Sequence, residues 1–432
     1  LPRSWISGRS HAIRIRVIRT GGLWPPNPLN KAMPGVSAAL PAITAGLLSV
    51  LPLLGLLIAG AIPSAVSAMP KTGQTNGNLI ETTFAAIDGW STDDHSAALS
   101  SWLRFCRKPY SHLSAQQYGL SVDEAAALCR KANAVDTRDP AAARAFFEEN
   151  FTPFRVTSEG FVTGYFEPEV AASRTPTTEF SSPLLKTPSG LEAVPVSAQP
   201  KGWPQGRSHG RRTKEGLVPL PDRGEIMDGA LSGEGLEFVW LLDPVDAFFI
   251  HVQGSARLRL QDGSVMRVGY AGKTGHAYTS VARVLVERGE GTPEELTMAG
   301  LRRWFKANPD RRDALLRENR SFIFFREVDV QNPDDGPIGA ANIPLIAGRS
   351  MAIDPAHISY GTPVFVTSEL TGFGAPGKFF RRLLIADDTG SAIRGPARGD
   401  IFTGSGKSAG DIAGNIRHRA EFIVLLPKGA KQ

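Results

Sequence analysis

The chain has 432 residues, enough for two or three domains of roughly 100–200 residues each. Its 42% hydrophobic and 21% charged residues describe a globular protein with a sizeable core and exclude a disordered chain. The net charge of +6 lies wholly in residues 1–68, which hold Arg3, Arg9, Arg14, Arg16, Arg19, Lys31 and no acid. Taking those six from the 48 basic residues leaves 42 against 42 acidic ones, so nothing in the remainder calls for nucleic acid.

Residues 1–68 read as a secretory leader: a basic start, a charge-free stretch from Ala32 to Pro70, and small residues at Ala65-Val66-Ser67-Ala68. The alternative is a membrane anchor. Pro52 and Pro63 interrupt that run, and its apolar heart, Leu47 to Ile62, spans about 16 residues, short of the roughly 20 needed to cross a bilayer. Met33 is a candidate start. Export makes the lone pair Cys106 and Cys129 a candidate disulfide, with two buried thiols as the alternative. No cysteine near the cleavage region offers a lipid anchor there. No metal or cofactor is expected; two cysteines are too few for a zinc site of their own.

Residues 69–83 read as a linker, followed by three helices. Asp93-Asp94 opens the first, with Ala98, Leu99, Trp102, Leu103 and Cys106 at helical spacing. Ser121 and Glu124 form a capping box for the second, and Asp139-Pro140 gives the third an N-cap and an N1 proline. From Phe151 to about Gly272 short β-like runs alternate with Pro/Gly loops: Gly160–Phe166, Glu237–Leu242, Ala247–Val252, and a hairpin of Arg257–Leu260 and Val265–Val268 turning at Asp262-Gly263. The basic stretch Gln205–Lys214 reads as a solvated loop, with contact to an anionic polymer as the alternative. Helices are expected at about 276–290 and 294–307, the second capped by Thr292, Pro293 and Glu295. Strands resume at Ser321–Phe325, Ser350–Ile353, Pro363–Val366, Arg382–Ile385 and Glu421–Leu425.

Three acids punctuate the last hundred residues: Asp354 in Ala-Ile-Asp-Pro, Asp388 in Asp-Thr-Gly-Ser, and Asp400 in Gly-Asp-Ile-Phe. Each sits beside a short apolar run, and each alone could be a turn former. An aspartic protease needs two carboxylates sharing a proton; Asp388-Thr389-Gly390 is the one copy of that signature here, so the protease reading requires a dimer. A glycosidase needs an acid that protonates the glycosidic oxygen, and one suffices if the substrate supplies its own nucleophile. That acid needs a raised pKa, which burial beside Ile401 and Phe402 and a facing Asp388 would give Asp400.

The blocks Gly348–Asp354, Gly361–Val364, Asp388–Gly395, Gly399–Gly404 and Ala413-Gly414 resemble the three-aspartate (3D) domain, a double-psi β-barrel. With Gly164–Pro168, Phe248–Ser255, Gly269–Gly275 and Asn319–Phe325, in order from about residue 84 to 428, the chain resembles the membrane-bound lytic murein transglycosylase A family. Ser391 and Thr274 stand where that family often has Gly and Asn.

The resemblance implies a mainly β, α+β protein. A helical N-terminal part (84–165) and a C-terminal part (276–432, with the barrel at about 340–428) make the main domain, and 166–275 is an inserted β-domain. It implies non-hydrolytic cleavage of the N-acetylmuramic acid–N-acetylglucosamine bond, leaving a 1,6-anhydro ring. Asp400 is then acid and afterwards base, Asp388 and Asp354 support it, and Tyr165, Glu167, Gln253, Gly254, Ser255 and Tyr278 line the groove. It also implies a monomer without cofactor in the periplasm or at the outer membrane, partnered by peptidoglycan strands and a cell-wall synthesis complex. A non-catalytic, expansin-like wall binder on the same barrel stays open as the alternative.

Overall fold

The computed structural model describes residues 75–76, 78–107, 118–329, 335–370 and 379–429. The leader and part of the linker lie outside the described residues.

The first segment carries β1 (Thr75–Asn76), β2 (Leu79–Glu81), α1 (His95–Phe105), α2 (Val122–Ala132), α3 (Pro140–Asn150), β3 (Phe151–Val156) and β4 (Gly160–Glu167). All three helices start where their capping residues predict. The Asp94 carboxylate accepts from Ala97 N, Ser121 and Glu124 close a reciprocal box, and Asp139 caps the third helix ahead of Pro140. Asp93 does different work, pairing at 2.9 Å with the buried Arg349 and so tying the start of α1 to the C-terminal strands. Cys106, capping α1, is joined to Cys129 of α2 across 23 residues. Closing a loop of that length stabilises by about 3 kcal/mol through the unfolded state. The double Cys→Ser variant is expected to lose about that much in denaturant unfolding, and an unchanged midpoint would contradict it.

The middle segment holds β5 (Glu169–Ser173), β6 (Ser182–Leu185), β7 (Leu191–Ala193), β8 (His209–Thr213), β9 (Gly216–Pro219), α4 (Arg223–Met227), β10 (Glu237–Leu241), α5 (Pro244–Gln253), β11 (Ser255–Leu260), β12 (Val265–Lys273), α6 (Val281–Glu287), α7 (Met298–Ala307), α8 (Arg312–Glu318) and β13 (Ile323–Val328). It forms one sheet in the order β13-β12-β11-β5-β10-β6 and a small one, β7-β8-β9. Several expectations are corrected here. Ala247–Val252 is helical, not extended. Asp243 caps α5 ahead of Pro244, Gly254 ends it in the left-handed region, and Val245, Phe248 and Phe249 pack at helical spacing on α6–α8. The expected box of Thr292 and Glu295 forms its hydrogen bonds but closes only a turn; α7 begins after Thr297, and α6 is shorter than expected. The basic stretch is half strand, and its Arg211 and Arg212 are paired with Glu234 and Glu192. Residues 276–328, expected with the C-terminal part, join this segment because β13 pairs with β12.

The last segment carries β14 (Ser350–Ala352), β15 (Pro363–Ser368), β16 (Phe380–Asp388), β17 (Arg398–Ser405), α9 (Gly406–Ala413) and β18 (Arg417–Pro427). Among the described residues these strands combine with β1–β4 into a nine-stranded sheet, β1-β2-β3-β18-β15-β16-β14-β17-β4, with β18 also pairing β4. Successive side chains of a strand face opposite ways. Phe365, Ile423 and Leu425 accordingly join the cluster under α1–α3, with Leu99, Trp102 and Phe147, while Val364, Val366, Phe422 and Val424 join a second cluster on the other face. Both faces are dry, so these strands read in the sequence as unbroken apolar runs. The fold is mixed α and β, mostly sheet.

Candidate active site

Asp400 occupies the third position of β17, and register places it opposite Thr163 on β4 and opposite Ala352 on β14. Ala352 pairs on its other side with Asp388 of β16. The two acids thus flank one strand, with backbones about 10 Å apart, twice the interstrand spacing. Alternation then sets the surroundings. Thr163, Tyr165 and Glu167 share one face of β4, and Asp400 and Phe402 share one face of β17. Beneath the acids lies a small cluster of Tyr165, Leu345, Ala352, Ile393 and Phe402, with the rings of Tyr165 and Phe402 5.3 Å apart. Gly399 precedes the acid because a Cβ there would lie 2.5 Å from Met351 Sδ.

Asp400 is ringed by protein atoms yet keeps some solvent-accessible surface. Thr163 Oγ1 donates to its Oδ1 at 2.5 Å, and Arg398 Nη2 donates in turn to Thr163 Oγ1 at 2.7 Å. Among the described residues no other hydrogen bond reaches this carboxyl, leaving Oδ2 for a ligand. Burial pushes Asp400 up to about 6, against the pull of the Arg398 charge and the Thr163 hydroxyl, and with a further push from Asp388. Thr163→Val removes a group that favours the carboxylate, so the Asp400 pKa should rise. If Asp400 acts as an acid, the alkaline fall of kcat/KM should move to higher pH, and a shift to lower pH would contradict this arrangement.

Asp388 and Asp354 are already engaged. Asp388 Oδ2 accepts from the Tyr165 hydroxyl at 2.7 Å and Oδ1 from Ala340 N at 2.9 Å; burial raises its pKa. Asp354 accepts from Gly395 N at 2.9 Å, Ala356 N at 3.1 Å and Arg394 Nη1 at 3.3 Å. Burial would raise its pKa, but these donors outweigh it and hold the group below the usual carboxylate value. A protease-type dyad sharing one proton is not built here, since Asp388 faces Tyr165 and a backbone amide.

Other expected site residues fall into two groups. Tyr278 is half-buried, and the Asp400 charge reaches it, adding to the upward push of burial on its hydroxyl. Gln253 Oε1 accepts from Phe166 N at 3.0 Å and Gly254 ends α5, so both hold the helix end against β4. Tyr165 (8% exposed) and Ser255 (7%) are buried, so neither offers a face for a sugar. Glu167 is corrected outright. It has no exposed surface and sits between Arg257 Nε at 2.9 Å and Arg267 Nε at 2.8 Å, with Ser405 Oγ at 2.7 Å. It clamps the two large sheets together, because it is the last residue of β4 before the chain crosses into β5. At this junction a cavity of about 380 Å³ is lined by Arg104, Arg257, Leu345, Phe402 and Ser405 among others, without Asp400.

Sequence reasoning missed Thr163 and Arg398. Both were within reach of the alternation rule, one lying two residues before Tyr165 and the other two before Asp400. Asp387 was also passed over. It is 1% exposed and accepts from Ser350 Oγ at 2.6 Å, and burial pushes its pKa well up.

Residues 161–326 match the family model of the MltA specific insert domain, and residues 349–426 that of the 3D domain. The membrane-bound lytic murein transglycosylase A of Escherichia coli K12 is 33% identical over 268 residues, a match covering 61% of this chain and 64% of that relative's length. Among solved structures, the membrane-bound lytic murein transglycosylase from Agrobacterium tumefaciens superposes with a TM-score of 0.75 at 40% identity, over 81% of this chain and 98% of that one. Escherichia coli MltA with bound chitohexaose does so with a TM-score of 0.56 at 27% identity, over 77% and 90%. The two family models, in order along the chain, together with the likeness across nearly the whole Agrobacterium structure, establish that this protein belongs to the lytic murein transglycosylase A (MltA) family.

Proposed function

We propose that this protein is a peptidoglycan lytic transglycosylase in which Asp400 carries the proton transfers. The observation that carries the reading is one partly accessible carboxyl with one oxygen held by Thr163 and the other open, a group that burial pushes up to about 6. Protonated Asp400 gives its proton to the glycosidic oxygen as the bond from the muramyl C1 breaks and positive charge develops on the ring. The muramyl O6 then attacks C1, and the Asp400 carboxylate takes the O6 proton. The product is a 1,6-anhydro ring, and the acid returns to its starting state. A pKa near the working pH suits a group that must be acid in one step and base in the next. Thr163 and Arg398 orient Asp400. Asp388, fixed by Tyr165, adds negative charge that favours the protonated form. Asp354 shapes the 389–397 loop through Gly395 and Arg394.

The substrate groove runs between a main domain, built from residues 79–167 and 350–427, and an inserted domain of residues 169–328. Tyr278, Gln253 and Gly254 stand on its inserted side. Parallel pairing of β14 with β16 and of β17 with β4 supports reading the Asp400 region as a double-psi barrel. That a relative has been solved with chitohexaose supports glycan strands as the ligand. The relatives' membrane-bound names and the leader support an exported protein at the outer membrane. Among the described residues no helix is long and apolar enough to cross a membrane.

Mass spectrometry of purified peptidoglycan after digestion tests the reading. Anhydro-muropeptides are expected. Reducing ends would indicate a hydrolase, and wall binding without products would favour the expansin-like alternative.

A further inference from the structure

Lys273 ends β12 opposite Ile323 of β13, and the two residues after it are held in place. Thr274 N donates to Phe322 O at 3.0 Å, and Ser208 N donates to Gly275 O at 3.3 Å. Gly275 has φ +82, and a Cβ there would lie 2.5 Å from His209 N, so only glycine lets the chain turn this close to β8. The Lys273 ammonium reaches the 389–397 loop and donates to Ser391 Oγ at 3.3 Å. Ser391 lies three residues beyond Asp388, in a turn closed by Ile393 N to Gly390 O at 3.0 Å. Arg394 projects from the same turn with its side chain 59% exposed, held at one nitrogen by Asp354.

This arrangement is electrostatically incomplete. Among the described residues no carboxylate lies within ion-pair distance of Lys273 Nζ. The charged and titratable groups that act on it or feel it are Arg394 and His209. Burial pushes the Lys273 ammonium pKa down, and the Arg394 charge pushes it the same way. A half-buried cation beside a second cation is costly unless an anion joins them, and a bound carboxylate supplies that partner through charge-assisted hydrogen bonds.

We infer that Lys273 and Arg394 form a carboxylate-binding subsite at the rim of the Asp400 groove, for the acidic substituent that muramic acid carries on its C3 lactyl ether. The inference rests on the murein reading above. The sugar backbone is uncharged, so a cationic rim recognises what distinguishes muramic acid from N-acetylglucosamine. The carboxylate is either the lactyl group's own or one on the peptide attached to it. The subsite sets which sugar of an alternating strand sits beside Asp400, and so which bond is cut.

Binding tests this without turnover. In the Asp400→Asn protein, calorimetric titration compares chitohexaose, a peptide-free muramyl glycan of equal length, and the same glycan bearing tetrapeptides. At least one muramyl glycan should bind about 10-fold or more tightly than chitohexaose, with the margin shrinking in high salt. Lys273→Met should bring that ratio close to one, and Lys273→Arg should retain it. Preference for the peptide-free glycan assigns the lactyl carboxylate, and preference for only the peptide-bearing one assigns the stem. Equal affinity for all three ligands, or an equal loss for all three in Lys273→Met, overturns the subsite. Failure of the murein reading shows separately, as absence of anhydro ends when the unsubstituted protein digests peptidoglycan.

Discussion

Asp400→Asn is expected to lower anhydro-muropeptide formation by about 10²–10⁴-fold, the usual worth of a positioned general acid–base, or more because one group serves both steps. The amide keeps the shape and still accepts from Thr163, so glycan binding should survive. In the unsubstituted enzyme the acid must be protonated at the start, so kcat/KM should fall as pH rises through about 6. A second consequence runs opposite to the loss of activity. The folded-state pKa stands above the usual carboxylate value of 3.8, so the folded protein holds this proton more tightly than the unfolded chain. The stability this gives is fully present below pH about 4 and is lost as pH rises through about 6. Asn never ionises, so at pH 8 the variant should be more stable than its parent by about 1–3 kcal/mol. An inactive variant that is less stable at pH 8 would mean that Asp400 is a structural acid.

Glu167→Ala is expected to cost about 3–5 kcal/mol in denaturant unfolding, the range for removing one partner from a buried ion pair. It strands Arg257 and Arg267, which otherwise share this carboxylate at 2.9 and 2.8 Å. The same arginines also donate to the backbone oxygen of Asp335, at 3.3 and 2.8 Å. If those carbonyl contacts suffice, the loss will be under about 1 kcal/mol, and the clamp reading fails. Because Glu167 joins the six-stranded sheet to the strands bearing Thr163 and Asp400, activity should fall at temperatures where the variant is still folded.

Much of this protein was legible in its sequence wherever the signal is local. Asp94, the Ser121–Glu124 box and Asp139-Pro140 set the helix starts correctly, because a cap is satisfied by atoms within four residues. The C-terminal strands were legible because both faces of their sheet are dry. Local signals failed where two of them competed. Ala247–Val252 has the aromatic and β-branched residues of a strand, but Asp243-Pro244 before it and Gly254 after it decide for a helix. The box at Thr292 and Glu295 made its bonds without a helix behind them.

The sequence by itself determined the candidate residues, three acids beside short apolar runs, and the family they mark. The tertiary structure decided the surroundings of each. Asp388 and Asp400 are both acids beside glycine-containing turns, and no local rule separates them. Strand register gives Asp388 the Tyr165 hydroxyl and an amide, and gives Asp400 one threonine and an open oxygen. It also moved Glu167 from the groove into a buried clamp, because a carboxylate reads alike in sequence whether water or two arginines surround it. Proton affinity depends on what lies within a few ångströms in space, and the hydroxyls that meet Asp400 and Asp388 come from β4, more than two hundred residues away.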